Sequence, residues 1–509
     1  MDRIQIRAHL SISSFEEGGK ILRYNKKVIC IGIIKAVAFV LVFLLLFQSA
    51  INLFRSKDTH YPVSSVYDLP KNSVDVLLLG SSHMFASISP MDLWNDYGIT
   101  SFNASLGNLS IPSAYFELRE LLKVQKPKML VLETYFIYFS EMVVKNDWAR
   151  YHYIVDNLRF SSGLHEAIQT LFPEDRDKTE YYLNFFNYHN RWKTLSETDF
   201  NPYLLKDNIH NRGADAVCYY GHRYIETPSI IPRSETEMPP ELPLEYLYKI
   251  IELCKEKDIS LVFMAQPCDI GSDIQKMINY VDIISEEEDI PYINFFYLLD
   301  ETGFDFAKDM ANAGHINYFG AQKLTAYLGE YLQTNYQLED HRGDPDVADL
   351  WNKDYETFSK EINNLMMTTA ENTEEYFRYL RNQDYILAWN AYSETPLSET
   401  ALPEYLAGIG IDPAGVKEKN QYYAVTRGDQ TLHGGATDTR PDDSYMADDM
   451  LFSFGDGIVE STNRIGIHAG RTEYSVGNNG LNLVVYDPMT RTVVNSVNID
   501  LSTGDIKMK

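Results

Sequence analysis

Residues 74–85 read VDVLLLGSSHMF, and this stretch decides how the rest of the sequence is interpreted. Its first half is a short, almost wholly apolar run, which is typical of a strand buried on both faces of a parallel sheet. The small residues Gly80, Ser81 and Ser82 suit a tight turn into a helix. Because sites in open α/β sheets form at the carboxyl ends of strands, we expect the Ser82 hydroxyl to point into such a crevice. The alternative is that Ser82 only caps the next helix.

Further apolar runs alternate with amphipathic stretches on the C-terminal side. Predicted strands are KMLVLET (128–134), ISLVFMAQP (259–267) and PYINFFYLL (291–299), and predicted helices cover 111–122, 244–257, 273–288 and 321–332. This alternation indicates an α/β domain over 72–335 with a parallel sheet covered on both faces. Residues 150–200 have a helical, aromatic pattern and are interpreted as an insertion or lid.

The pattern changes after residue 335. Residues 336–372 are acidic and partly helical and are interpreted as a connector. From about Thr373 to residue 509 the chain is rich in strand and turn signals, which indicates a second, β-rich domain. NLVVYD (482–487), the turn PMTR and TVVNSVNID (492–500) predict a β-hairpin there.

The N-terminal part carries a candidate membrane span at 28–54, interrupted by Lys35. Its length suits the roughly 20 residues that cross a hydrocarbon layer of about 30 Å, and Lys35 can snorkel toward the headgroups. Six basic residues precede the span and only Arg55 and Lys57 follow it closely, so the positive-inside rule predicts residues 1–27 in the cytoplasm and the large C-terminal part outside. A cleaved signal peptide and a buried core helix are the alternatives. The long polar leader and the lack of an A-x-A site favour an uncleaved anchor.

Composition argues against several other classes of protein. The chain has 509 residues, enough for more than one domain, and a net charge of −27, which repels nucleic-acid phosphates. Its four cysteines have no CxxC spacing, so neither a zinc site nor a disulfide-stapled scaffold is expected. A single Cys254–Cys268 bridge stays open.

Two further motifs carry polar side chains. GHINYFGAQKLT (314–325) follows the last predicted strand, and a strand-end serine early in a sheet with a strand-end histidine late in it, here His315, suits a Ser–His pair. In NYHNRWKTL, His189, Arg191 and Trp192 form a polar-aromatic cluster. They would line an acceptor groove or form the surface face of an ordinary amphipathic helix.

These motifs resemble those of SGNH (GDSL-like) hydrolases, and most of all the membrane-anchored bacterial branch with the DltD proteins and the alginate and peptidoglycan O-acetyl transfer proteins. GSSH resembles the first family block, whose third residue is the serine nucleophile, here Ser82. SLGN (105–108) lies where a glycine N–H helps form the oxyanion hole, which gives this role to Gly107, with Asn108 as a further donor. GHIN resembles the last block, in which the histidine, here His315, activates the serine.

Two positions depart from the family pattern. The last family block is D-x-x-H, in which the aspartate orients the histidine, whereas this chain has Asn312 there. Asp309 or Asp305 would be the nearby carboxylates to replace it. No G-x-N-D block follows the strand at 128–134, where LETYFIY stands instead. Loss of an orienting aspartate lowers kcat about 10⁴-fold in a serine protease.

The resemblance implies a flavodoxin-like three-layer fold for the α/β domain and acyl transfer through an ester on the serine, without metal or other cofactor. The implied site consists of catalytic Ser82, His315, Asn312 and Asp309, oxyanion donors at Ser82, Gly107 and Asn108, and substrate-binding His83, Arg191 and Trp192. The implied partners are a cell-envelope glycan or lipid-linked polymer and, as acyl donor, a multispanning membrane protein; acetyl and D-alanyl groups are both open. The alternative function, favoured by Asn312 and the missing block, is a non-catalytic glycan-binding or scaffold protein with a degenerate SGNH fold.

The C-terminal part resembles a different family. GLNLVVYD (480–487), VVNSVNID (493–500) and DYILAWNAYSE (384–394) are similar to segments of the interleukin-like EMT inducer (PANDER-type) domain, over about 373–509. The resemblance implies a compact β-sandwich that binds carbohydrate or protein. The alternative is a packing domain without a ligand.

Overall fold

A computed structural model describes most of the chain. The described residues are 26–54, 62–139, 158, 161–172, 178–182, 189–195, 212–213, 223–381, 384–416, 419–437, 442–456, 465–477 and 479–508. The predicted cytoplasmic N-terminus up to residue 25, Cys218 and most of the predicted insertion at 150–200 lie outside these residues.

By its internal contacts the chain divides into two compact units, and the first comprises residues 1–57 and 182–202. Its main element is helix α1, Lys26–Phe54. The window Cys30–Phe47 has a mean hydropathy of 2.9 and none of it is buried. This exposure is contrary to the buried-core alternative, and α1 is long and apolar enough to cross a membrane.

The second unit, residues 58–181 and 203–509, begins with a parallel sheet. Its strands are β1 (Val76–Leu79), β2 (Ser101–Asn103), β3 (Met129–Glu133), β4 (Ser260–Ala265) and β5 (Tyr292–Asn294). Among the described residues they pair in the order β2-β1-β3-β4-β5, and every pair is parallel. All four residues of β1 are buried, so both faces of the sheet are covered. The predicted α/β class and parallel sheet are confirmed.

Helices connect these strands. They are α2 (Ser82–Ser87), α3 (Pro90–Tyr97), α4 (Ile111–Leu121), α5 (Ser162–Leu171), α6 (Thr179–Tyr182), α7 (Glu241–Lys257), α8 (Ser272–Glu288), α9 (Leu299–Thr302), α10 (Phe306–Asp309) and α11 (Tyr318–Tyr336). The long helices that the sequence predicted correspond to α4, α7, α8 and α11. Helix α11 packs against α2 and α3, whereas α7 packs against α4. The chain leaves β1 toward β2 and then returns past β1 to β3. In open α/β sheets, this reversal of strand order marks the edge at which ligand sites form.

Two helices precede the C-terminal strands. Helix α12 (Pro345–Thr369) forms most of the predicted connector, and its Trp351 packs against Trp94 with ring centroids 5.5 Å apart. Thr373–Leu380 forms helix α13, which lies at the start of the predicted β-rich region 373–509. Asn372 caps this helix by accepting a hydrogen bond from the Glu375 N–H at 2.9 Å, a start signal that the turn-rich composition concealed.

The remaining strands form two antiparallel sheets. They are β6 (Ile386–Tyr392), β7 (Gln421–Arg427), β8 (Gln430–Ala436), β9 (Asp443–Ala447), β10 (Met450–Asp456), β11 (Ile465–Ala469), β12 (Thr472–Glu473), β13 (Gly480–Asp487), β14 (Thr492–Ile499) and β15 (Ile506–Met508), with helix α14 (Leu402–Gly408) between β6 and β7. In the described part, six strands pair in the order β15-β14-β13-β6-β7-β8, and four in the order β12-β11-β10-β9. The predicted hairpin is confirmed as β13 and β14, which pair antiparallel.

The central strands β6 and β13 of the six-stranded sheet are buried on both faces. Ile386 and Ala388 of β6 belong to a core shared with Phe452 of the four-stranded sheet. The alternate residues Leu387 and Trp389 belong to a second core shared with α13 and α14. This double burial explains why β6 and β13 are almost continuously apolar although their sheet is antiparallel.

Candidate active site

The turn after β1 places a serine at the first position of α2. Ser81 is the N-cap, since its Oγ accepts a hydrogen bond from the His83 N–H at 3.2 Å. The capping alternative therefore applies to Ser81, and the hydroxyl of Ser82 is left for another partner. Gly80 is required at the turn because a Cβ there would overlap the Cβ of Glu133.

Ser82 and His315 are brought together from positions 233 residues apart in the sequence. Ser82 Oγ lies 2.9 Å from His315 Nε2, which is hydrogen-bonding distance. On the other side of the ring, His315 Nδ1 lies 3.1 Å from Asn312 Oδ1. A hydroxyl, an imidazole and an amide thus follow each other within hydrogen-bond reach, an arrangement that nucleophilic catalysis could use.

The loop that carries His315 fixes the orientation of the Asn312 amide. The backbone N–H groups of Gly314 and His315 both donate to Asn312 Oδ1 at 3.0 Å, so the atom at this position must be the oxygen. A carbonyl oxygen only accepts, so Nδ1 of His315 carries the proton that points to it. Nε2 is then the unprotonated nitrogen and faces Ser82. The asparagine therefore selects the tautomer that a general base needs.

The loop itself is closed by its own backbone. The carbonyl oxygen of His315 accepts hydrogen bonds from the N–H groups of Ala311 and Asn312, at 2.9 and 3.3 Å. Met310 and Ile316 pair across the base of the loop. Burial lowers the pKa of His315, which keeps its imidazole neutral at neutral pH.

The two aspartates that the sequence offered as replacements contact other groups. Asp309 is buried, and its Oδ2 accepts hydrogen bonds from Lys323 Nζ at 2.6 Å and from the Asp305 N–H at 2.7 Å. The Asp305 carboxylate caps α10 by accepting from the Ala307 N–H. The position beside Nδ1 therefore belongs to Asn312, and the orienting role expected of Asp309 is corrected.

Glu133 is a site residue that the sequence motifs missed. It ends β3 with 2% of its surface exposed, and its carboxylate accepts hydrogen bonds from the Ser81 N–H at 2.6 Å and from the Tyr135 N–H. It thereby joins the turn after β1 to the turn after β3. Burial raises the pKa of Glu133, while the hydrogen bonds from Ser81 oppose this rise. The sequence signal for this role of Glu133 is an acidic residue at the end of an apolar strand, in the segment LET (132–134).

The predicted oxyanion loop lies beside the nucleophile turn. The Leu106 N–H donates to the Gly80 carbonyl at 3.1 Å, and a turn from Leu106 to Leu109 follows, with Asn108 at a φ of +54°. Within the described part of the chain, the N–H groups of Ser82 and Gly107 donate to no other group. Two N–H groups without an internal acceptor are suitable donors for a developing oxyanion.

Buried Asn103 links this loop to the nucleophile helix. Its Nδ2 donates to the carbonyls of Met84 and Ile88, at 3.2 and 3.1 Å, and its Oδ1 accepts from the Ser105 N–H at 3.3 Å. One side chain therefore fixes the position of the loop against α2.

His83, one of the predicted substrate contacts, lies directly at the pair. Its ring stacks on Tyr135 with centroids 3.8 Å apart and planes at 24°, and its centroid is 5.5 Å from that of His315. Burial, with a smaller effect of the His315 charge, lowers the pKa of His83 to about 3.

The other predicted substrate contacts belong to the first compact unit. Arg191 and Trp192 lie in a 3₁₀ turn, His189–Lys193, rather than on a longer helix. Arg191 Nη1 donates to the Phe54 carbonyl at 2.9 Å, and Trp192 is 61% exposed. Their role in substrate binding stays a prediction.

The described cysteines, Cys30, Cys254 and Cys268, are free thiols. Cys254 and Cys268 are both buried free thiols, so the bridge that the sequence left open is not formed. Burial raises the pKa of both thiols, which makes them poor nucleophiles. Among the described residues, no group of three His, Cys, Asp or Glu side chains could hold a metal ion.

Comparison with known proteins adds no relative to these observations. No protein-family model matches the sequence, and no curated protein matches it, so the function is argued from the geometry of Ser82, His315 and Asn312.

Proposed function

We propose that the chain is a membrane-anchored serine esterase or O-acyltransferase of the SGNH type that modifies a cell-envelope polysaccharide or teichoic-acid-type polymer. The observation that carries the proposal is the series of hydrogen bonds from Ser82 through His315 to Asn312, with the tautomer fixed by backbone N–H groups. The strand order β2-β1-β3-β4-β5, which is that of flavodoxin-like sheets, also supports this family.

In the first half of the proposed reaction, His315 Nε2 takes the proton of the Ser82 hydroxyl as Oγ attacks the acyl carbonyl carbon. The N–H groups of Ser82 and Gly107 donate to the oxyanion. When the tetrahedral intermediate collapses, the bond to the leaving group breaks and His315 returns the proton to that group. The product is an ester on Ser82.

In the second half, an acceptor hydroxyl from water or a sugar loses its proton to His315 Nε2 and attacks the ester. The bond between the acyl carbon and Ser82 Oγ breaks, and the proton passes from His315 to Oγ. Asn312 orients the ring in both halves. As a neutral amide, it stabilises the imidazolium less than a carboxylate would.

Helix α1 supports a location at the cell membrane. Its unburied apolar window is consistent with an anchor, and the basic residues before it favour a cytoplasmic N-terminus with the remaining domains outside. Only residues 55–75 separate α1 from β1. A tether this short favours a lipid-linked or wall-proximal polymer, with a multispanning membrane protein as acyl donor.

The test is labelling of the detergent-solubilised full-length protein with a fluorophosphonate probe, together with hydrolysis of p-nitrophenyl acetate. We expect both in the wild type and neither in Ser82→Ala. Ser87→Ala is the matched control, because this buried hydroxyl of the same helix donates to the Met84 carbonyl and is not in contact with His315 in the described structure. Labelling that persists in Ser82→Ala would exclude Ser82 as the nucleophile.

A second candidate function is a non-catalytic glycan-binding or scaffold protein of an envelope-polymer assembly. The observation that favours it is the amide of Asn312 where the family has a carboxylate. Carbohydrate or protein binding by the β-rich part, proposed from its resemblance, would fit either function. A folded wild-type protein that reacts with neither the probe nor the ester would support this second function.

A further inference from the structure

The side chain of His83 lies beside the Ser82–His315 pair. It follows Ser82 directly in α2, and consecutive helical side chains diverge by about 100°. Ser82 points to Nε2 of His315, while the imidazole of His83 lies 5.5 Å from that of His315, at an angle of 34°. Two imidazoles therefore lie close together at this site, one at hydrogen-bonding distance from Ser82 and the other beside the first.

The hydrogen-bonding capacity of the His83 ring is unused within the described part of the chain. Among the described residues, neither ring nitrogen makes a hydrogen bond, although only 8% of the residue is exposed. Neither nitrogen is sealed from solvent, because neither is among the fully buried unpaired atoms of the described chain. A nearly buried polar ring without a partner loses free energy unless a bound molecule completes its hydrogen bonds.

The charge state of His83 limits what it can do. With a pKa of about 3, the ring is neutral throughout the physiological range and does not compete with His315 for the serine proton. A neutral imidazole offers one donor and one acceptor. This combination suits a hydroxyl group, which also both donates and accepts.

Aromatic rings extend from His83 along the segment after β3. Tyr135 supports the imidazole from one face, and Tyr138 lies 5.6 Å from Tyr135, edge to face. Tyr135, Tyr138 and Phe139 are all partly exposed. Flat, partly exposed rings beside polar groups suit the alternating apolar and hydroxyl surfaces of a sugar.

We propose that His83 determines acceptor specificity, binding a neutral sugar so that the acyl group on Ser82 passes to a carbohydrate hydroxyl in preference to a simple alcohol or water. This inference rests on the proposed acyl transfer and adds the residue that selects a sugar hydroxyl over water or a simple alcohol. One sugar hydroxyl gives its proton to His315 and attacks the acyl carbon, the bond to Ser82 Oγ breaks, and Oγ regains the proton. A second hydroxyl of the same sugar bonds the His83 ring and exchanges no proton.

The experiment compares two acceptors with the full-length protein and p-nitrophenyl acetate as donor. Methyl β-D-glucoside offers neighbouring hydroxyls, whereas ethanol offers only the attacking one. Acetyl glucoside, ethyl acetate and free acetate are quantified over a range of acceptor concentrations. His83→Phe keeps a flat ring on Tyr135 but removes both nitrogens, and His83→Asn keeps a donor and an acceptor. His433→Phe is the matched control, since His433 also stacks on a tyrosine, Tyr445, with centroids 5.0 Å apart.

We expect His83→Phe to raise the KM for the glucoside and to lower transfer to it by about 2- to 13-fold, the range for one lost hydrogen bond between neutral groups. The ratio of glucoside transfer to ethanol transfer in His83→Phe should fall by the same factor. His83→Asn should recover part of the glucoside transfer, and His433→Phe should match the wild type.

Equal glucoside-to-ethanol ratios in the wild type and in a folded, probe-reactive His83→Phe would overturn the role of His83. A wild type that transfers acetyl no better to the glucoside than to ethanol would overturn it too. A wild type that the probe does not label would instead remove the proposed function itself, so the two failures are distinguishable.

Discussion

Replacing Asn312 by aspartate would place a carboxylate beside the Nδ1 of His315, where an amide oxygen now lies at 3.1 Å. The two backbone N–H groups that bond Oδ1 would bond a carboxylate oxygen equally well. The Nδ2 of Asn312 donates to no described residue, so its loss removes no hydrogen bond. The exchange therefore changes the charge beside the base and leaves the geometry of the loop in place.

An adjacent opposite charge typically raises the pKa of a base by about 1–3 units, which stabilises the imidazolium by about 1.4–4 kcal/mol. If about half of this charge has developed in the transition state, the barrier falls by about 0.7–2 kcal/mol and kcat/KM rises about 3- to 30-fold. In the wild type, burial lowers the pKa of His315, so activity should persist to a pH below the ordinary histidine value of about 6.5. In Asn312→Asp the acid limb should move to higher pH.

The assay is the pH profile of p-nitrophenyl acetate hydrolysis for the wild type, Asn312→Asp and Asn312→Ala. The alanine variant leaves Nδ1 and two backbone N–H groups without an acceptor and should lose at least about tenfold in kcat, because the tautomer is no longer selected. Asn335→Asp, the same exchange at an exposed position of α11, is the control for net charge. An acid limb that stays in place in a folded Asn312→Asp would refute the contact between position 312 and the base.

Three further outcomes follow from contacts at the site. Gly80→Ala should abolish probe labelling, because its Cβ would overlap the Cβ of Glu133. Gly107→Ala should retain labelling, since a Cβ there meets nothing within 4 Å and the backbone N–H remains; equal labelling of the two variants would contradict this reasoning. In urea unfolding, Glu133→Gln should lose about 1–3 kcal/mol because an amide cannot accept both backbone N–H groups. Glu117→Gln should be neutral or stabilising at pH 8, since this buried carboxyl has no hydrogen-bond partner among the described residues and burial raises its pKa; the reverse order would refute both assignments. The pKa of His83 is about 3 in the folded protein and about 6.5 in the unfolded chain, so the unfolded chain binds more protons between these pH values. From pH 8 to pH 5 the free energy of unfolding should therefore fall by about 2 kcal/mol more in the wild type than in His83→Phe; parallel pH profiles in chemical denaturation would show that His83 is not buried as described.

Sequence periodicity was sufficient for the parallel sheet, for the four long helices of the α/β part and for the hairpin of β13 and β14. These elements rest on local patterns, because a strand buried on both faces must be apolar along its whole length, as β1 is. Helix α13 was missed because its signal is one capping residue, Asn372, next to a turn-rich region. The composition of a segment is averaged over many residues and therefore does not show a single capping residue.

At the site, the motifs were sufficient to nominate Ser82 and His315, since each follows the end of a strand in an open sheet. From the sequence alone, either the oxygen or the nitrogen of the Asn312 amide could face His315. The loop geometry decides between them, because two backbone N–H groups hold Oδ1 in place and Oδ1 then fixes the tautomer of His315. That answer depends on where N–H groups point, which no residue pattern encodes.

What the sequence by itself determined about this protein is therefore its apolar N-terminal helix, its α/β class and two residues, Ser82 and His315, that lie at hydrogen-bonding distance. The tertiary structure alone decided that Glu133 joins the two turns, across 52 residues of sequence, and that His83 stacks on Tyr135 beside the base. The physical reason is that burial and periodicity act over a few neighbouring residues and leave a pattern in the chain. Hydrogen bonds and ring contacts between distant loops arise only once the sheet has brought the ends of β1 and β3 together.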